Sequence, residues 1–160
     1  MLKYKEYAVT LAEFPDEISL CINISNCPNN CEGCHSPYLK ENEGILLSET
    51  ILDELINNNN GISCVGFMGG DSNPSEVLYF ARHIKTKYPK LKVGWYSGND
   101  QIHQCISLNI HNFDYIKIGH YDKVKGPLNS PNTNQRMYKV ESNKDDANLI
   151  DITYKFLKQQ

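Results

Sequence analysis

Three cysteines, Cys27, Cys31 and Cys34, fall within eight residues of the stretch INISNCPNNCEGCHSPY, spaced C-x3-C-x2-C. Between them lie Pro28, Asn29, Asn30, Glu32 and Gly33, none of them apolar. A loop this short and polar cannot be a core element, so its thiols either meet a ligand or stay free. Iron–sulfur clusters are held by cysteine thiolates, usually four of them. With three, one iron is left open to an exogenous group, and that vacancy would be the chemistry. A zinc site is the next reading, since Cys3His is a recognised ligand set and His35 follows Cys34. Adjacent residues, however, do not have the two- to four-residue gap that lets two side chains face one ion. A disulfide would require an oxidising compartment, for which no export signal is visible. Inert free thiols are the remaining alternative.

The elements that must position this loop follow from periodicity. Residues 18–24 alternate, with Ile18, Leu20, Ile22 and Ile24 on one face and Ser19, Cys21 and Asn23 on the other, which predicts a strand feeding directly into Cys27. Before it, Tyr4 to Phe14 alternates weakly, as an edge strand or extended arm does, and Pro15-Asp16 marks a turn. Residues 39–47 read as a connector. Ser48 can cap a helix running to about Asn58, with Ile51, Leu52, Leu55 and Ile56 on one face and Asn57 to Gly61 ending it. The apolar run Ile62–Met68 predicts a strand buried on both faces. A helix over Ser75–Lys85, a strand over Leu91–Tyr96, a helical or irregular segment over 99–108 and a strand over Phe113–Ile118 follow. Such alternation implies right-handed crossovers and a largely parallel sheet. From Gly119 to Val140 periodicity fades into a long loop, and Asp151–Leu157 predicts a last strand.

In parallel α/β sheets, ligands bind beyond the carboxyl ends of the strands. Three features fall there: the cysteine loop, Gly69-Gly70-Asp71 and Ser97-Gly98. Paired glycines let backbone approach a ligand closely, although an ordinary turn would use them too. Cys21 and Cys64 lie inside strands and read as packed thiols.

Size and charge bound the rest. At 160 residues the chain has the length of one domain. A net charge of −3 and dispersed lysines argue against a nucleic-acid partner. The first residues contain no apolar run long enough for a signal peptide or membrane span. The expectation is a soluble, cytoplasmic protein whose six cysteines are thiols or metal ligands.

C-x3-C-x2-C also resembles the signature of the radical S-adenosylmethionine (SAM) enzymes. CPNNCEGCHSPYL, FMGGD, WYSG, FDYIKIG, GPLNSPNTNQRMYKV and DITYKF together make the chain similar to one branch of them, the activating proteins of anaerobic (class III) ribonucleotide reductases. The resemblance implies an α/β fold: a single domain over 1–160, an incomplete (βα)6-type radical SAM partial barrel with mostly parallel strands. It implies a [4Fe-4S] cluster on Cys27, Cys31 and Cys34, with SAM on the open iron. Gly33, Cys34, His35, Gly69, Gly70, Asp71 and Ser97 would contact SAM, with the Gly-Gly-Asp turn at its amino group. The implied activity is reductive cleavage of SAM and formation of a glycyl radical on the large subunit of the reductase, fed by an external one-electron reductant. The loop 119–140 would meet that partner. Two departures stand out. Gly33 replaces the aromatic residue often found before the third cysteine, and Lys117-Ile118-Gly119 replaces an Asp-rich strand end. Lys117, His120 and Cys105 therefore receive no role. Activation of another glycyl-radical enzyme, radical chemistry on a small molecule, or a zinc-binding interaction module are the competing functions.

Overall fold

A computed structural model describes residues 1–143 and 146–157. Eight strands form one sheet: β1 (Lys3–Thr10), β2 (Ser19–Ile24), β3 (Ile45–Leu46), β4 (Cys64–Met68), β5 (Lys92–Tyr96), β6 (Tyr115–Ile118), β7 (Arg136–Asn143) and β8 (Asp146–Asp151). Their spatial order is β3-β1-β2-β4-β5-β6-β7-β8. The helices are α1 (Glu49–Asn58), α2 (Pro74–Lys87) and the single turn α3 (Gln104–Ser107).

Only the centre of the sheet is parallel. β2, β4, β5 and β6 run side by side in one direction, each joined to the next through a helix. The flanks β3-β1-β2 and β6-β7-β8 are antiparallel. Four of the seven pairings among the described residues are thus antiparallel. The expected mostly parallel strands are corrected to a mixed sheet with four parallel strands at its centre. The reason lies after β6, where no helix returns the chain. Instead β7 folds back beside β6 and pairs with β8 as a hairpin.

Several sequence boundaries move with it. The loop expected to reach Val140 ends at Gln135, because Arg136 starts β7. Met137 and Val140, of opposite parity, are buried in different cores, so no single apolar face announces this strand. The strand expected over Asp151–Leu157 is instead a 3-10 turn at Thr153–Phe156. The connector 39–47 contains β3, and a 3-10 turn spans Pro37–Lys40.

Helix starts match their caps. The Ser48 hydroxyl accepts from the Ile51 N–H at 3.3 Å, and the Asn73 side chain accepts from the Glu76 N–H at 3.3 Å with Pro74 at the first helical position. Both devices satisfy amides that a helix start leaves orphaned. All three helices cover one face of the sheet. Leu52, Leu55, Val77, Phe80, Ile84 and Ile106 pack there on Leu20, Ile22, Ile24, Phe67 and Trp95. The opposite face carries a smaller core of Phe14, Cys21, Cys64, Tyr115, Leu128, Met137 and Ile152.

Candidate functional site

The strand register builds the site. On the face away from the helices, Cys21, Gly66, Gly94 and Tyr115 form one row across β2, β4, β5 and β6. Phe14 lies on this row between Tyr96 and Tyr115, with ring centroids 5.3 and 5.6 Å away. Its seat requires glycine, since a Cβ on Gly94 would come within 2.2 Å of the ring. Two residues on, toward the carboxyl ends, Asn23, Met68, Tyr96 and Lys117 form the next row. All four line a cavity of about 700 Å³, a size usual for small-molecule sites.

Above that row stands the cysteine loop. Its entry is fixed by backbone hydrogen bonds from Asn26 to Glu41 and from Cys27 to Leu39, at 3.1 and 3.0 Å. Asn26 turns the chain with φ +60°, a conformation asparagine tolerates better than most residues. Cys27, Cys31 and Cys34 are half-buried and all line the cavity. Cys21, Cys64 and Cys105 do not line it. Burial pushes the Cys27 thiol up, and negative charge at Asp71, Cys31 and Cys34 adds to this. The Ser36 N–H donates to the Cys34 sulfur at 3.4 Å. Among the described residues, no three His, Cys, Asp or Glu side chains group tightly enough to hold one metal ion. The three thiols share the lining of one cavity. Thiols gathered on one cavity could serve a multi-iron cluster, in which each iron takes a different thiolate.

Asp71 ties the loop to the sheet. Its carboxylate accepts from Ser97 Oγ at 2.6 Å, from the Gly98 N–H at 2.7 Å, and from the Asn29 and Asn99 amides at 3.2 Å each. Two oxygens offer about four acceptor positions, so this carboxylate is saturated as a cross-brace. The predicted binding residues divide accordingly. Asp71, Gly69, Cys34 and His35 line the cavity. Ser97 is buried beneath it, holding Asp71. Gly70 is also buried, and a Cβ there would meet Val77 at 2.6 Å, so it serves packing of the turn onto α2. Gly69 has φ +100°, its N–H donates to Tyr96 and its carbonyl accepts from Trp95 Nε1, both at 2.9 Å. Its polar groups, expected to be open to a ligand, are engaged within the chain.

Gly33 has φ +73°, the left-handed region in which a bulky residue is strained. That accounts for the missing aromatic before Cys34. An aromatic reaches the neighbourhood from elsewhere: Tyr121 lines the cavity, packs its ring 4.8 Å from His35 and faces the Gly33 backbone. Residues 119–135 thus wall the cavity, with Leu128, Asn129 and Gln135 also lining it. Lys123 pairs with Glu32 across this boundary. His120 sits outside the cavity lining, held by Asp100 at 2.7 Å.

Sequence reasoning missed Tyr121, Lys117 and Glu13 as cavity residues. Lys117 was detectable as the one charged residue in the apolar run of β6; Tyr121 and Glu13 carry no signal outside the tertiary structure. Among the described residues no helix is long and apolar enough to cross a membrane.

A family model described as a 4Fe-4S single cluster domain matches residues 18–142, most of the chain. No curated protein and no solved structure matches it. All six cysteines fall inside the matched span, so the match does not itself select the ligands; the cavity sets three of them apart.

Proposed function

Since the chain belongs to the 4Fe-4S single cluster domain family, we propose that Cys27, Cys31 and Cys34 hold the cluster and that the protein is a radical SAM activase for an anaerobic ribonucleotide reductase. The observation that carries this reading is the shared cavity. The three thiols and the Gly69–Asp71 turn, some forty residues apart in sequence, line one chamber beyond the carboxyl ends of β2, β4, β5 and β6. When bound, such a cluster supplies one electron to SAM, whose cleavage gives methionine and a 5′-deoxyadenosyl radical able to take a hydrogen atom from a glycine of the partner.

The chain's own residues position and shield. Asp71 fixes the cysteine loop against β5 through Asn29, Ser97 and Gly98. Tyr121 and His35 offer ring surfaces at the loop's edge for the adenine. Met68, Leu128 and Phe156 add apolar lining that limits water. An ammonium group arriving at Asp71 would take the place of the Asn29 or Asn99 amide. The chamber's wall 119–135 is the surface proposed to meet the reductase large subunit, and an external low-potential donor supplies the electron.

Anaerobic reconstitution tests the reading. The expected product is brown, with about four irons per chain, and yields 5′-deoxyadenosine from SAM once reduced. Mixed with a glycyl-radical reductase, it should generate a glycyl-radical electron paramagnetic resonance signal. A loaded, reduced protein that leaves SAM intact would defeat the activase assignment while keeping the cluster.

A further inference from the structure

Of the four residues in the cavity's inner row, Asn23, Met68, Tyr96 and Lys117, only the last carries a charge. Lys117 is 7% exposed and lines the same chamber as the three cysteines. Its Nζ donates to the Gly119 carbonyl at 2.9 Å and lies 5.8 Å from the centroid of the Tyr96 ring. Among the described residues it forms no ion pair with a carboxylate. Asp71, which shares the cavity, is already saturated by four donors. An ammonium has three donors, and removing it from water without a directly paired counter-charge is costly. Burial draws its pKa down to about 8, against an upward pull from negative charge at Asp71, Cys31, Asp100 and Glu13, of which Glu13 also lines the cavity. Met68, next but one in the row, shows that an apolar side chain fits this surface without that cost.

Resting on the reading that Cys27, Cys31 and Cys34 hold a [4Fe-4S] cluster, we infer that Lys117 is the cluster's built-in counter-charge, a buried ammonium that offsets the three thiolates and the electron the cluster accepts. Three thiolates outweigh the positive charge that the iron–sulfur core itself would bring, so the loaded site is a net anion, and one-electron reduction by the external donor makes it more negative. Net charge and solvent exposure are among the factors that set a cluster's potential. A fixed cation in surroundings of low dielectric favours the more negative, reduced form. No bond forms or breaks at Lys117, and its proton stays in place. The residue thus makes the cluster easier to reduce.

The test needs neither SAM nor partner. Wild type, Lys117→Met and Lys117→Arg are reconstituted anaerobically, their iron is counted, and midpoint potentials are measured by redox titration monitored by electron paramagnetic resonance. At a fixed solution potential, Lys117→Met should show about a tenfold lower ratio of reduced to oxidised cluster, a midpoint about 59 mV more negative for one electron. Lys117→Arg, which keeps the charge, should stay with wild type. An unchanged midpoint in fully loaded Lys117→Met overturns the inference and leaves the cluster reading intact. A wild type that takes up no cluster overturns both. If Lys117→Met fails to hold iron, Lys117→Gln joins the comparison. Loss or a lowered potential in both neutral variants, with Arg unaffected, supports charge compensation; loss in all three shows that shape, not charge, matters and overturns it.

Discussion

The two faces of β2, β4, β5 and β6 are drawn from alternate residues of the same short segments, yet one is closed and the other is hollow. Toward the helices point Leu20, Ile22, Ile24, Val65, Phe67, Val93, Trp95 and Ile116, all with no exposed surface. Away from the helices point Gly66, Gly94, Asn23, Met68, Tyr96 and Lys117, which seat Phe14 and line the cavity. Because side chains alternate across a strand, the faces can be specified independently. The helix-side core holds the strands in register, and this frees the other face to carry two glycines, a buried amine and a polar chamber. Along the hollow face the cysteines contrast as well: Cys21 and Cys64, in its smaller core, are packed thiols whose burial raises their pKa, Cys21 to about 12, whereas Cys27, Cys31 and Cys34 stand on the chamber's rim.

The sharpest way to break this contrast is through those cysteines. Cys27→Ala, Cys31→Ala and Cys34→Ala should each abolish cluster-dependent SAM cleavage, while Cys21→Ala, Cys64→Ala and Cys105→Ala keep it; iron content and 5′-deoxyadenosine yield are the readouts. If Cys105→Ala proved as damaging as Cys31→Ala, the ligand set would be wrong. Next in size, Trp95→Ala on the closed face should cost about 3–5 kcal/mol in denaturant unfolding. A smaller loss, about 1–3 kcal/mol, is expected from Gly94→Ala, whose new methyl collides with the Phe14 ring. Equal losses at Trp95 and Gly94 would mean that both faces contribute alike to stability.

The smallest effect lies at the far end of the hollow face, away from the cysteines. There the Glu17 carboxylate is buried; burial alone would raise its pKa, but hydrogen bonds from Lys92, Ser63 and Tyr115 hold it below the ordinary glutamate value of 4.5. Its contribution is therefore present above pH 4.5 and is lost as pH falls through the lower, folded value. Thermal unfolding of Glu17→Gln should show a flatter acid limb than wild type, and an unchanged limb would remove Glu17 from the account.

Local pattern made much of this readable. The alternation of Ile18 to Ile24 placed Leu20, Ile22 and Ile24 in the core and turned Cys21 and Asn23 to the other face, as the sheet shows. Ser48 marked a helix start by the chemistry of its cap, and the helix expected over Ser75–Lys85 runs from Pro74 to Lys87 behind its Asn73 cap. The hairpin β7–β8 was not readable, because Met137 and Val140 serve different cores and the remaining β7 residues from Arg136 to Ser142 are half-buried or exposed. Nor was the spending of the Asp71 carboxylate on Asn29, Ser97, Gly98 and Asn99 visible in FMGGD.

By itself the sequence determined which atoms are available for chemistry: three closely spaced thiols, a glycine pair, an acid, and strands able to carry them to one rim. Spacing along a chain can do that, because ligand type and periodicity are local properties. Only the tertiary structure decided what those atoms face. Register across four strands brought Lys117 under the cysteine loop, and the return of residues 119–135 supplied the aromatic wall that Gly33 does not. Charge and ring contacts between residues ninety positions apart exist only once the backbone has been laid down in space.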